Sequence, residues 1–503
     1  MSINKDIESA YISERRGEFT DKQKIECKTS ISTEEIKRVI NISAVPYLNN
    51  SQQMENGIEY SGKINFFICY EDGEGNVKKG ECIREFNGII NVPELEERCY
   101  LNTTIQIEKV DADINGVNLI LFANALITVN AVAKREFKYI TGGEGVFTDQ
   151  REEEISVGLG QNCNTYVLEE DFEVPLVVNQ VLYQKAVGVI SSSQCGVGTI
   201  IVDGEVYLSL ILLQSEEKRD IIKVSKTFPF RAEIDCEDAM PTFSCVANVK
   251  EKSLKTDITV DTEKRKSQIT ASVSLNVCGE CYKNEQIVLL EDAFSLTDEI
   301  ELKKEAKNIC CQTSCKVIKE RFSGKTNIDE LPIGAVLIGV FNERVEITNT
   351  SVAENGITVT GVASGTALFY DGEDKLFSRK LESPFMSLLN ESVLDNQKYE
   401  VEGQIFNMEG RVLSLDSGEI YGDLIFKVCI SEERTINFVV DIVDAGKKEQ
   451  NNSAISVYIP LKDEGLFTLA KRLNVNPSQL VLTNNDLQFP LTGEERIVIY
   501  RQK

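Results

Sequence analysis

The sequence predicts a mainly β protein: three repeated antiparallel, sandwich-like β units, then a small strand–helix–helix–strand module. Three observations carry that prediction. Short apolar runs bounded by turn residues recur roughly every ten residues through most of the chain. A glycine-to-aromatic pattern appears three times at domain-sized separation. The end of the chain, from Ile455 to Tyr500, switches to helical periodicity between two β-forming stretches.

The repeated pattern is YSGKINFFICYEDGEGNVKKGECIREFNGIINVPE from Tyr60, VDGEVYLSLILLQSEEKRDIIKVSKTFPFRAEIDCED from Val202, and VTGVASGTALFYDGEDKLFSRKLESPFMSLLNE from Val359. Each copy has a glycine, an alternating or fully apolar strand, a charged turn, a second strand and a closing aromatic. From Gly62, Gly204 and Gly361, the aromatics Phe86, Phe230 and Phe385 follow by 24, 26 and 24 residues. Apolar segments precede each copy near Val39, Val177 and Ile333. Further strands follow from Ile105, Cys245 and Tyr399. Asp72, Gly73, Gly75, Asp371 and Gly372 suit tight turns through positive φ angles. The implied organisation is a first β unit over 1–165, a second over 166–320, a third over 321–443, a polar linker over 444–452 and a terminal module over 453–503.

One stretch breaks the β pattern. LLEDAFSLTDEIELKKEAKNICC, from Leu289, is rich in helix formers and predicts a connector helix starting near Thr297. Its charges read as a solvated face. The DAGKKEQNN stretch from Asp444 to Asn452 is polar enough to let the terminal module orient independently.

Within that module, Leu466, Leu469, Ala470 and Leu473 stand at helical spacing, leaving Lys471 and Arg472 in water. Pro477 opens a second helix, and Asn484 and Asn485 suit the turn that ends it. Ile497, Val498, Ile499 and Tyr500 are β-formers able to pair with Ile455, Val457 and Ile459.

Composition narrows the chemistry. The 503 residues contain no histidine, which removes Ser–His, Cys–His and His-ligated zinc mechanisms. A net charge of −26 disfavours nucleic acid and anionic lipid, and no basic tract offsets it. No glycine-rich phosphate loop is present. The first residues lack a secretory signal's apolar core, so synthesis without export is the simplest expectation. The most apolar window, from Val117, is interrupted by Asn118, Asn124 and Asn130 and reads as a sheet element rather than a membrane span. The fourteen cysteines are dispersed and read as mostly reduced, buried thiols. Cys278 and Cys281, with Cys310, Cys311 and Cys315, could supply thiolates to zinc, although the spacing is poor; no metal or cofactor is expected.

The terminal stretch resembles a LysM module, and three β units followed by such a module resemble SPOCS-domain proteins of endospore-forming Firmicutes. That resemblance implies a non-enzymatic protein of the mother-cell cytoplasm at the forespore or spore coat surface. It implies a partner, a coat morphogenetic ATPase of the SpoIVA type. LysM modules also bind N-acetylglucosamine-containing glycans. Glycan-binding members carry Gly-Asp-Thr-Leu before the first helix; here Asp463, Glu464, Gly465 and Leu466 stand there, and only the leucine is kept. The second lip, Asn484, Asn485, Asp486, Leu487, Phe489 and Pro490, resembles the family better. Protein docking through these lips is the favoured reading, with peptidoglycan or lipid-linked precursor binding as the alternative. A cell-wall enzyme using acidic pairs such as Glu169 with Glu170, or Glu152 to Glu154, remains a different class, as does an envelope scaffold unrelated to sporulation.

Overall fold

Each hairpin can be followed from its turn outward. Asp72 accepts hydrogen bonds through Oδ1 from the Glu74 and Asn76 amides at 3.0 and 2.8 Å, and Gly75 follows at φ 84°. Asp371 makes the same turn, accepting from Glu373 and Lys375 at 2.8 Å each. The turn aspartates therefore act by side-chain capping of the loop. Gly75 is the one among these residues with a positive φ.

The computed structural model describes residues 4–30, 36–93, 95, 99–115, 118–214, 221–373, 375–449 and 455–500, and its sheets are all antiparallel. The first set of strands is β1 (Lys5–Ser30), β2 (Ile36–Met54), β3 (Gly57–Asp72), β4 (Val77–Asn91), β5 (Cys99–Asn115) and β6 (Asn118–Gly143). The second is β7 (Val146–Val174), β8 (Val178–Cys195), β9 (Thr199–Gln214), β10 (Ile221–Asp235), β11 (Ser244–Asp261) and β12 (Lys266–Ser295). The third is β13 (Asp298–Asn327), β14 (Val336–Ala353), β15 (Gly356–Tyr370), β16 (Leu376–Leu389), β17 (Gln397–Ser414) and β18 (Ser417–Lys447). In every set the middle hairpins form a three-stranded meander, β2-β3-β4, β8-β9-β10 or β14-β15-β16. The first, fifth and last strands form a second sheet, β1-β6-β5, β7-β12-β11 or β13-β18-β17.

Strand pairing changes over at Gly143–Val146 and at Ser295–Asp298, so residues 165/166 and 320/321 fall inside β7 and β13. The connector helix expected near Thr297 is absent, and Asp298 to Asn327 is a strand. Its Glu, Lys and Ala favour helix only weakly. Pairing along the whole of β18, from Asp298 opposite Lys447 to Asn327 opposite Ser417, overrides that preference.

The glycine–aromatic spacing is a register. Gly62 lies opposite Phe86, Gly204 opposite Phe230 and Gly361 opposite Phe385. Each phenyl ring lies over its glycine. A Cβ on Gly204 would sit 2.5 Å from both the Phe230 ring and the Val189 carbonyl oxygen, and Gly62 and Gly361 are equally closed. Only a residue without a side chain lets the ring fold back across the central strand.

The later parts of β3 and β9, residues 64–72 and 206–213, are buried on both faces apart from the half-buried Ser209, which explains their apolar runs. In β3, Ile58, Tyr60, Ile64, Phe66 and Ile68 fill the core between the two sheets of the first unit, while Phe67 and Cys69 face the other way. There they meet Leu182, Tyr183 and Ile211 of the second set and Phe341 and Leu368 of the third. Tyr183 is the centrepiece, with ring centroids 6.0 Å from Phe67 and 5.4 Å from Phe341. Polar ties reinforce the junction. Arg38 donates to Glu71 at 3.0 Å and to the Leu376 carbonyl at 2.7 Å, and the nearly buried Lys223 and Glu343 pair at 2.8 Å. The far ends of the long strands make a second junction around Ile12, Phe137, Ile155, Leu289, Ile436 and Phe438.

Where the three units meet, a cavity of about 320 Å³ is lined by β5, β8, β11, β17 and β18 among others. Lys250 reaches across it to Asn102 Oδ1 at 2.9 Å and to the Thr103 carbonyl, and Lys427 reaches Asn248. Burial pushes the Lys250 ammonium down to about 8, against an opposing pull from Glu402. A lysine depressed on folding holds fewer protons folded than unfolded between about pH 8 and pH 10.4, so its contribution to stability rises with pH across that window. The urea midpoint of the wild type should therefore gain on that of Lys250→Met across this range; a constant difference would refute the assignment.

The cysteines differ from expectation. Disulfides join Cys27 to Cys82, Cys163 to Cys278 and Cys315 to Cys429. Cys163 and Cys315 each stand directly opposite their partner across the β7–β12 and β13–β18 pairs, with Cα atoms 4.0 and 4.1 Å apart. The Cys278/Cys281 and Cys315 sites therefore do not combine as one metal centre. The side chains of Cys310 and Cys311 lie outside the described residues.

Candidate docking site on the terminal module

The module after the third set is built from β19 (Ile455–Tyr458), α1 (Leu466–Leu473), α2 (Pro477–Thr483) and β20 (Ile497–Tyr500). Leu469, Ala470 and Leu473 of α1 pack with Leu480, Leu491, Ile497 and Ile499. Asn476 caps α2 by accepting from the Ser478 amide at 2.9 Å, with Pro477 in the first turn. The Asn474 cap of α1 is left-handed, at φ 48°.

Two lip residues, Glu464 and Asn484, turn their polar groups inward. Glu464 is buried; it accepts from Arg472 at 2.8 and 2.9 Å and from the Leu461 amide at 2.9 Å. The Arg472 guanidinium holds its carboxyl below the ordinary glutamate range. Asn484 clamps α2 to β20, donating to the Leu480 and Val498 carbonyls at 2.9 Å and accepting from the Val498 amide at 2.8 Å. Asn485 is exposed. Leu466, Leu487 and Phe489 are packed against the module's core. Asp463, Asp486 and Pro490 are exposed, and Gly465 is half-buried. Backbone hydrogen bonds from Asp463 to Leu491 at 2.7 Å and from Leu491 to Glu464 at 3.0 Å bring the two lips side by side.

The module is seated on the tip of the second unit. Phe294 of β12 is buried between Phe147 of β7, at 5.2 Å, and Phe467 of α1, at 5.4 Å. Lys471 pairs with Asp292 at 2.5 Å, and the Asn474 amide donates to the Leu296 carbonyl at 3.0 Å. The first residues of the expected linker are strand rather than free chain. Asp444 to Lys447 continue β18, and the Lys448 amide donates to the Thr297 carbonyl at 3.0 Å. Residues 450–454 lie outside the described residues.

What remains open is one face of the two-stranded sheet. Ile455 lies opposite Tyr500 and Val457 opposite Val498, so these side chains share a face. Ile455, Val457, Ile459 and Tyr500 are 62%, 59%, 70% and 61% exposed. Sequence reading treated them as pairing residues and overlooked the exposure. The signal was present in the alternation: Tyr458, Ile497 and Ile499 supply one apolar face, Ile455, Val457, Ile459 and Leu461 another, and two short helices cover only one.

The architecture is that of a many-stranded antiparallel β protein with an attached helical module presenting an apolar face. Residues 35–115, spanning β2 to β5, match a family model described as SipL, SPOCS domain. This stretch is therefore similar to a SPOCS domain, and the similarity suggests a sporulation-related role. No curated protein and no solved structure matches it. Among the described residues, no helix is long and apolar enough to cross a membrane.

Proposed function

We propose that this protein is a non-enzymatic assembly scaffold of the spore coat. Its β units form a rigid body, and its terminal LysM-type module docks a coat morphogenetic protein of the SpoIVA type at the forespore surface, on the mother-cell side. The observation that carries this reading is the uncovered apolar sheet face at Ile455, Val457, Ile459 and Tyr500, beside lips whose Glu464 and Asn484 are committed to internal bonds. A face of this kind suits a protein partner better than a polar glycan. The absence of histidine and the SPOCS match support a binding role in sporulation over catalysis.

The test uses the full-length chain, because truncation at Lys448 would bare Phe294. Immobilised wild type and a Val457→Asp/Ile459→Asp variant are compared for retention of a purified SpoIVA-type ATPase and of insoluble peptidoglycan. Both positions are exposed, so the variant should stay within roughly 0.5 kcal/mol of wild-type stability per site while binding the ATPase at least about tenfold more weakly. Retention of peptidoglycan alone, unaffected by the substitutions, would replace this reading with a glycan-binding envelope protein.

A further inference from the structure

Four free cysteines converge at one end of the second unit, and they come from both of its sheets. Cys195 ends β8 and Cys236 directly follows β10, both in the meander; Cys245 and Cys281 stand opposite each other on β11 and β12. Cys195 and Cys281 touch, with sulfurs 3.6 Å apart. Cys195 also contacts the Cys245 thiol, and Cys281 the Cys236 thiol, so the four form one connected group. Cys195, Cys236 and Cys281 are at most 8% exposed, and Cys245 is half-buried.

Zinc–thiolate bonds of about 2.3 Å in a tetrahedron set sulfur–sulfur edges of about 3.8 Å. The Cys195–Cys281 separation is close to that edge. The strands holding the thiols are fixed by their own bonds: the Cys236 amide donates to the Gly198 carbonyl at 3.0 Å, and the Gly198 amide to Ala239 at 2.9 Å. Gly198 adopts φ 72°, which turns the chain sharply between Cys195 and β9. We propose that Cys195, Cys236, Cys245 and Cys281 bind one structural zinc ion that staples the two sheets of the second unit together. Among the described residues no three acidic, cysteine or histidine side chains already stand in metal-binding geometry. Binding therefore includes rotation of the thiol side chains on strands already in place. The corresponding strand ends of the first unit carry Met54, Val92, Tyr100 and Val132, and those of the third Ala353, Asn390, Lys398 and Ser431, so the staple belongs to the second unit alone. Short-motif reading misses it because the ligands are 41, 9 and 36 residues apart in sequence.

The test is metal analysis of the full-length protein purified under reducing, chelator-free conditions, followed by cobalt(II) exchange. The expected result is about one zinc per chain and, with cobalt, the intense visible and thiolate charge-transfer absorption of a tetrahedral four-sulfur site. Cys236→Ser and Cys281→Ser should lose most of the metal, whereas Cys69→Ser, a buried cysteine at the central junction, should keep it. Should the cluster variants fail to fold, the cobalt spectrum of the wild type decides alone. Zinc-free folded protein that gives no sulfur-to-cobalt band, a Cys195–Cys281 disulfide in the reduced preparation, or metal content unchanged by both cluster substitutions would overturn the assignment.

Discussion

Phe294→Ala should release the terminal module from its seat. The ring is about 1% exposed and touches two others, Phe147 and Phe467, across the only aromatic bridge recorded between β12 and α1 among the described residues. Truncating a buried phenylalanine to alanine costs about 3–5 kcal/mol, including the loss of aromatic pairs at roughly 0.5–1.5 kcal/mol each. The polar contacts that remain, the half-exposed Lys471–Asp292 pair and the Asn474 hydrogen bonds to Leu296 and Lys448, are individually worth about 1 kcal/mol or less, and Leu296 is left as the apolar contact from the second unit. Amide exchange in α1 and α2 should therefore speed up sharply while β3, β9 and β15 keep their protection. Unchanged exchange in α1 would mean that the seat does not hold the module.

Gly204→Ala should damage the second unit as severely. The new methyl group would meet the Val189 carbonyl oxygen and the Phe230 ring, both at 2.5 Å. The ring can swing aside, but the carbonyl belongs to the paired strand β8 and cannot move without breaking its ladder. Overpacking of this kind costs about 1–3 kcal/mol, and more when backbone is the obstacle. A Gly204→Ala/Phe230→Ala double variant discriminates the two obstacles. It should recover little stability if the carbonyl dominates and most of it if the ring does. The expected outcome, read from urea unfolding followed at the second unit, is little recovery.

The hairpins were legible because their signals are local. Glycine and phenylalanine fall opposite one another in each meander, and Asp72 and Asp371 close equivalent turns. The fully apolar stretches of β3 and β9 also marked strands, although not what covers each of their faces. The long strands β7 and β13 were less visible. Their partners lie about a hundred residues away, and in β13 the residues ELKKEAK prefer helix until β18 is alongside. Cysteine neighbours were hidden for the same reason, since Cys163 meets Cys278, and Cys195 meets Cys281, only after the sheets form.

In the terminal module the order of strands and helices followed from Pro477, Asn484 and the spacing of Leu469 and Leu473. The use of its polar residues did not. Glu464 in sequence is a lip carboxylate, and only the fold brings Arg472 against it. The DAGKKEQNN stretch is polar, but polarity does not prevent its first residues from extending β18. The exposed face was missed because alternating apolar residues identify a strand without saying which of its faces lacks a cover.

The central claim is that the uncovered face of the terminal module, carried in a fixed position by the β body, brings this protein to the coat assembly site. Imaging a full-length fluorescent fusion in sporulating cells tests it most directly. The wild type is expected to encircle the forespore, and the Val457→Asp/Ile459→Asp variant, at equal abundance, to remain diffuse in the mother cell. A variant that still encircles the forespore, or a wild type that never does, would contradict the account.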